Sequence, residues 1–166
     1  MFLFPPQIKK KIIFDLDRTL WRATVESHPH LKNPKPFPGT NDTLTLLQEH
    51  YSLNIASRSS KPNRCHHFLN LCFPQIHFDQ IEIFPAPHKR THIQNILGFQ
   101  YHHPFFFIDD EKHILDDISK TWTNSNIIWR HPNVHISHLC ETLLSIPETN
   151  PEQLDLNINP EKTPLG

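Results

Sequence analysis

The sequence predicts an α/β protein: a doubly wound, Rossmann-like, mostly parallel sheet of five strands that lies between two layers of helices. Short apolar segments alternate with helical patterns along the chain, an order that indicates a parallel sheet covered on both faces. Charged or polar residues follow the first four apolar segments, at the sheet edge where doubly wound folds bind their ligands. A length of 166 residues fits one domain with one sizeable core.

Five apolar segments of strand length are the predicted strands. LNIAS reads as a short buried strand that ends in a serine, and the others are rich in isoleucine and phenylalanine. In chain order they are KIIF (11–14), LNIAS (53–57), IEIF (81–84), PFFFIDD (104–110) and NIIW (126–129).

The predicted helices carry apolar residues at helical spacing on one side. The first covers residues 40–50, with Thr40 or Asn41 as its cap. Pro62 begins the second helix and Gly98 ends the third, the positions that these residue types favour. The apolar sides are Leu44, Leu46 and Leu47; Cys65, Phe68, Leu69 and Cys72; Ile93, Ile96 and Leu97; Ile114, Leu115 and Ile118; and Ile136, Leu139, Leu143 and Leu144.

Proline marks two segments that do not fit the alternating pattern. Residues 22–39 contain four prolines and form an irregular insertion, a minimal cap, directly after the first acidic motif. Residues 147–166 contain four more prolines and few large apolar groups, so we expect a poorly ordered tail. The predicted domain is therefore 1–146, followed by the tail.

Composition argues against several classes of protein. A net charge of −1 provides no basic field for a nucleic acid or an anionic membrane. Three cysteines without CxxC spacing predict neither a disulfide framework nor a zinc ribbon, and the fourteen histidines show no HExxH pattern. The apolar start MFLF is too short for a signal peptide, and no run approaches a membrane span. We expect a soluble, cytoplasmic protein that has no membrane partner and is a monomer.

The residues at the predicted strand ends are poor material for a protein core. Unpaired buried charges destabilise a fold by roughly several kcal/mol each. The many acidic and basic residues at this one edge of the sheet therefore need a common binding partner. Mg²⁺ binds oxygen ligands and often joins carboxylates to a substrate phosphate. The residues are Asp15 and Asp17 after the first strand, Ser57 and Arg58 after the second, Lys89 after the third, and Asp109 and Asp110 after the fourth.

These motifs, in this order, resemble those of the haloacid dehalogenase superfamily of phosphohydrolases, and within it the small magnesium-dependent phosphatases. The DxDxT motif is DLDRT at 15–19, and the motif serine, lysine and acidic pair are those just named. The similar blocks are FDLDRTLW, ASRSS (56–60), IFP…HKRTHI (83–93) and FFFIDDE (105–111), which together span residues 11 to about 120. The resemblance implies a phosphatase fold and a magnesium cofactor.

The resemblance also implies a role for each residue. Asp15 is the expected nucleophile that forms an aspartyl-phosphate, and Asp17 the expected general acid and base. Ser57 is expected to hydrogen-bond a phosphoryl oxygen, and Lys89 to offset charge on the nucleophile and the phosphate. Arg58 is expected to clamp the phosphate with its planar guanidinium.

The expected ligands of Mg²⁺ are Asp15, the backbone carbonyl of Asp17 and one acid of the second pair. We favour Asp110 as the direct ligand and Asp109 as its neighbour. Two features depart from the family: the insertion at 22–39 is compressed, and Arg18 stands where an aromatic residue is common. The first affects substrate recognition, and the second adds positive charge near the mouth of the site.

The expected function is a Mg²⁺-dependent phosphomonoester hydrolase. Its substrate would be a phosphorylated small molecule or a protein side chain, including phosphotyrosine or sugar-phosphate esters of proteins. The alternative is a binding or regulatory protein that keeps the fold with little or no turnover, although the intact acids and lysine argue against it. A third, weaker alternative is a phosphatase that acts on nucleic-acid ends or on polymerase tails, and the absence of excess positive charge argues against a nucleic-acid substrate.

Overall fold

The computed structural model describes residues 7–146, so the tail expected at 147–166 lies outside the described residues. Ten elements alternate along this part of the chain. They are β1 (Lys11–Phe14), α1 (Thr40–His50), β2 (Ser52–Ser57), α2 (Pro62–Cys72), β3 (Gln80–Ile83), α3 (Arg90–Leu97), β4 (Phe105–Asp109), α4 (Lys112–Thr121), β5 (Ser125–Trp129) and α5 (His138–Leu144). Each predicted strand and helix is present.

The five strands form one parallel sheet in the order β3-β2-β1-β4-β5. The chain therefore runs outward from β1 to β3, returns across the sheet and continues with β4 on the other side of β1. This reversal confirms the predicted doubly wound α/β fold. It also creates a crevice at the carboxyl ends of β1 and β4, the place where such folds bind ligands.

Two apolar clusters, one on each face of the sheet, form the core. Alternate residues of a strand point to opposite faces, so Ile12 and Phe14 join the cluster under α1, α2 and α5, whereas Ile13 joins the one under α3 and α4. All three side chains are fully buried. The three-layer arrangement expected from the sequence follows from this alternation.

The start of α1 differs from the prediction that Thr40 or Asn41 caps it. Gly39 precedes the helix with a φ of 80°, and Thr40 is the first helical residue. The Thr40 hydroxyl donates to the carbonyl of Phe37 at 2.7 Å, so it does not cap the helix. The positive φ favours glycine here, and a Cβ atom at position 39 would also lie 2.6 Å from the exposed ring of His135, which would have to move.

Two other predicted helix ends are confirmed. Pro62 is the first residue of α2, and Gly98 ends α3 with a φ of 71° while its N–H donates to Gln94. Two predicted apolar contacts are wrong, because Leu46 is 48% exposed and Leu144 is 42% exposed. Leu46 lies two residues from Leu44, and about 200° of helical rotation separates their side chains.

The insertion at 22–39 contains no helix or strand and packs against α2. Arg64 of that helix donates to the carbonyl oxygens of Val25 at 3.0 Å, His28 at 2.8 Å and Leu31 at 2.5 Å. Val25 is fully buried. The insertion is therefore fastened to the domain at several points. None of the helices described in residues 7–146 is long and apolar enough to cross a lipid bilayer.

Candidate active site

Three carboxylates meet where β1 and β4 end. Asp15 follows β1, Asp109 is the last residue of β4, and Asp110 comes next. Since β1 and β4 are paired in parallel, their carboxyl ends lie side by side, and the Asp15 N–H donates to the Ile108 carbonyl at 2.9 Å. One oxygen from each carboxylate lies within 4.8 Å of the other two. The structure thus brings these three predicted residues together, and we call them the carboxylate cluster.

Lys89 lies inside the carboxylate cluster. Its Nζ atom is 2.5 Å from Asp15 Oδ1 and 2.6 Å from Asp109 Oδ2, and the residue is 4% exposed. Burial by itself would lower the pKa of Lys89, but the two adjacent carboxylates raise it above its usual value. The lysine is therefore charged. It reaches this place because it stands immediately before α3.

One lysine does not neutralise three acids. Burial raises the pKa of Asp109 and Asp110, and repulsion from Asp15 raises both further. Lys89 and the Glu111 N–H, which donates to Asp109 Oδ1 at 2.9 Å, act in the opposite direction on Asp109. The cluster offers only oxygen atoms as ligands, and a bound cation would relieve the repulsion among its three carboxylates. This donor set fits Mg²⁺, which binds carboxylates and waters.

Asp17 lies apart from the carboxylate cluster. Its Oδ1 accepts the indole N–H of Trp21 at 2.8 Å, and its Oδ2 accepts the N–H of Val25 at 3.2 Å. Burial raises the pKa of Asp17, and the two hydrogen bonds partly oppose this rise. A carboxyl group with a raised pKa can carry and release a proton. That the backbone carbonyl of Asp17 binds a metal stays a prediction.

The predicted phosphate-binding residues line one cavity of about 330 Å³ together with Asp15, Asp17 and Lys89. Ser57 is 4% exposed, and its hydroxyl accepts the Ser59 N–H at 3.3 Å. Arg58 is loosely held: its Nη1 donates to the Pro87 carbonyl at 3.3 Å, and its Nη2 is 3.9 Å from Glu111. A second cavity, of about 430 Å³ and lined by residues that include Tyr101 and Trp122, contains none of the predicted site residues.

Several residues of the site were not identified from the sequence. Thr24 and Glu26 of the insertion line the cavity, and Glu26 accepts the Ser60 N–H at 2.5 Å. Glu111 lines it from the start of α4. The Trp129 indole donates to the Asp110 carbonyl at 3.0 Å. An irregular insertion has no periodicity that would indicate which of its side chains face the site. Glu111 and Trp129 follow or end predicted strands, so the predicted topology could have indicated these two residues.

His92 and Thr19 support the site from behind. The His92 ring is fully buried, stacks on Phe84 at 3.8 Å between centroids, and has Nε2 2.8 Å from the Phe84 carbonyl. Burial lowers the pKa of His92, so the ring is neutral. The Thr19 hydroxyl donates to Asp15 Oδ2 at 3.0 Å. Asp15 therefore has a defined partner on each of its oxygens.

Comparison with solved structures identifies the fold. The chain is similar to the HAD domain of the effector protein Lem4 from Legionella pneumophila, an inactive mutant, with a TM-score of 0.59 and 12% identity over 92% of this chain and 100% of that one. It is also similar to the N-terminal part of the protein BF1531 from Bacteroides fragilis, which contains a phosphatase domain and was solved with Mg, with a TM-score of 0.56 and 15% identity over 81% of this chain. The chain spans 40% of the length of that BF1531 structure.

No protein-family model and no curated protein matches the chain. The structural neighbours show that the chain has the fold of a haloacid dehalogenase-type domain, as the sequence motifs indicated.

Proposed function

We propose that the protein is a Mg²⁺-dependent phosphomonoester hydrolase that acts through an aspartyl-phosphate. The observation that carries this proposal is the arrangement of Asp15: a buried carboxylate that contacts a charged lysine and shares its surroundings with two further acids. Asp15, Asp110 and the backbone carbonyl of Asp17 would hold the metal, with Asp109 beside them. When bound, the cation offsets negative charge on the carboxylates and on phosphoryl oxygens.

Asp15 is the nucleophile in this proposal. Lys89 donates to its Oδ1 and Thr19 donates to its Oδ2, so the carboxylate is held in one orientation. Attack by a carboxylate oxygen on phosphorus forms the aspartyl-phosphate and releases the alcohol. The Lys89 ammonium group then lies beside the phosphoryl group, where its positive charge stabilises the negative charge on the phosphoryl oxygens.

Asp17 is the general acid and base. Its raised pKa allows it to protonate the leaving oxygen and afterwards to accept a proton from the hydrolytic water. The hydrogen bonds from Trp21 and Val25 hold the carboxyl group in one orientation while leaving it on the wall of the cavity.

Ser57 and Arg58 are the proposed phosphate-binding residues. Ser57 presents a buried hydroxyl, and the weak contacts of Arg58 leave its guanidinium able to turn towards a phosphoryl oxygen. The substrate would be a phosphorylated small molecule or a protein side chain, such as a phosphotyrosine or sugar-phosphate ester. The insertion is short and is held against α2 by Arg64. We propose that it leaves the site open enough for a phosphate ester carried by a larger molecule.

Hydrolysis of p-nitrophenyl phosphate tests the proposal. We expect turnover in Mg²⁺, none in excess chelator, and at least about a thousandfold loss of kcat in Asp15→Asn, because the nucleophile is removed. Asp116→Asn is the control, since Asp116 is an exposed acid of α4. A folded wild-type protein that hydrolyses no member of a broad phosphoester panel in Mg²⁺ would favour a binding or regulatory role instead.

A further inference from the structure

Arg18 has an unusual backbone conformation in the loop that carries the nucleophile. Its φ is 61°, and among residues 7–146 it is the one non-glycine residue with a positive φ. Residues with a Cβ atom rarely adopt this left-handed region. Because Arg18 stands between Asp17 and Thr19, whose side chains are both held by hydrogen bonds, the direction in which its side chain leaves the loop is fixed.

The side chain of Arg18 connects the carboxylate cluster to the cavity. Its Nε atom is 3.2 Å from Asp110 Oδ2, although the side chain is 56% exposed. It also lines the cavity in which Ser57 and Arg58 lie. The same side chain therefore borders both the carboxylate cluster and the cavity.

Charge explains why Arg18 pairs with Asp110. Within the described chain, Lys89 and Arg18 are the two basic side chains that form ion pairs with the cluster, and Lys89 contacts the other two acids, Asp15 and Asp109. A divalent cation on Asp110 would therefore lie within a few ångströms of the guanidinium. At such a spacing salt screens their repulsion only weakly.

We propose that Arg18 competes with the metal for Asp110 and, once displaced, turns into the cavity and contributes to phosphate binding. This inference rests on the proposed function. According to this inference, the Arg18 side chain weakens the binding of Mg²⁺ and strengthens the binding of phosphate. A residue with a purely structural role would not change the two affinities in opposite directions.

Two titrations of Arg18→Gln test the inference. By calorimetry without phosphate, we expect Mg²⁺ to bind about three- to tenfold more tightly than in the wild type, because the competing charge is gone. With Mg²⁺ saturating, we expect inorganic phosphate to bind at least about threefold more weakly, because a charged donor is lost. Arg18→Gly serves as a second variant, since glycine suits a positive φ.

Arg58→Gln is the matched control for the Mg²⁺ titration. It removes the same charge from the same cavity, but its ion-pair partner is Glu111, which is not in the carboxylate cluster. We expect its Mg²⁺ affinity to change less than about twofold. Equal or weaker Mg²⁺ binding in both Arg18 variants would overturn the inference while leaving the proposed function in place. A folded wild-type protein that binds no Mg²⁺ would overturn the proposed function and this inference together.

Discussion

The position of Lys89 shows how single residues determine the chemistry of this site. Its ammonium group is almost completely buried and stands between two carboxylates. A buried charge of this kind is tolerated because its partners are charged and close, and removing one partner leaves the others uncompensated. The sequence placed Lys89 after the third strand, but only the folded chain shows that it contacts the carboxylates at the ends of both β1 and β4.

Lys89→Met removes the charge and keeps much of the side-chain volume. We expect the unfolding free energy of the metal-free protein to fall by roughly 3–5 kcal/mol, because the buried acids Asp15 and Asp109 lose their shared partner. Mg²⁺ should restore part of this loss. Urea denaturation with chelator and with Mg²⁺ measures both effects, and Lys120→Met, at an exposed position of α4, is the control. A stability loss no greater than that of the control would contradict the expectation.

The acidic pair predicts a pH dependence of stability. The folded-state pKa is raised to about 6 for Asp109 and about 7 for Asp110, from a reference value of 3.8. A carboxyl group whose pKa is raised by folding favours the folded state below the unfolded pKa, and this contribution is lost as pH rises through the folded pKa. Metal-free protein should therefore lose stability between about pH 4 and pH 7.

Comparison with Asp110→Asn isolates this effect from the histidines that titrate in the same range. In chelator, thermal denaturation should give similar stabilities near pH 4 and a progressively less stable wild type towards pH 8, because asparagine has no charge to bury. In Mg²⁺ at pH 8 the order should reverse. A stability difference that is constant across this pH range would show that the Asp110 carboxylate is not unfavourable in the fold.

Among the elements, the strands and helices were predictable from local pattern, whereas the insertion was not. Apolar periodicity located all five strands and helices, and Pro62 and Gly98 marked helix ends through their backbone chemistry. The cap of α1 was missed because Gly39 acts through its backbone conformation and lies against His135, a residue far away in the sequence. The insertion was likewise organised by a distant residue, Arg64.

Arg64→Met should loosen the insertion without unfolding the domain. Three carbonyl groups lose a charged donor, and bonds of this kind contribute about 1.5–3 kcal/mol each without being additive. We expect faster amide hydrogen exchange within residues 22–39 and a higher KM, because Thr24 and Glu26 line the cavity. Arg90→Met is the control, since Arg90 of α3 pairs with Asp117 of α4 and contacts no residue of the insertion in any ion pair or hydrogen bond described for it. Unchanged exchange in the insertion would contradict a fastening role for Arg64.

For the whole molecule, the strand order connects sequence to function. Because β2 and β3 are added on one side of β1 and β4 and β5 on the other, the carboxyl ends of β1 and β4 are neighbours although they are distant in sequence. The sequence could indicate this through the order of its motifs, and the fold of the structural neighbours agrees with it. It could not indicate the cavity wall that the insertion and Glu111 supply, since those contacts depend on packing between irregular segments.

Binding of Mg²⁺ should stabilise the whole domain. A ligand that binds only the folded state raises its stability by RT ln(1 + [L]/Kd), which is about 2.7 kcal/mol at a hundredfold excess over Kd. We expect a rise in Tm with Mg²⁺ that Asp110→Asn largely abolishes, while Asp116→Asn retains it. If Asp109→Asn abolishes the rise and Asp110→Asn does not, Asp109 is the direct ligand.

The central claim is that Asp15 receives a phosphoryl group beside a divalent cation held by acids from two strands. A crystal structure of the protein with Mg²⁺ and beryllium fluoride, a mimic of a phosphoryl group on a carboxylate, tests it most directly. We predict beryllium fluoride bonded to an Asp15 oxygen and Mg²⁺ at about 2.1 Å from oxygens of Asp15 and Asp110. Beryllium fluoride bound away from Asp15, or Mg²⁺ bound away from the carboxylate cluster, would contradict the account.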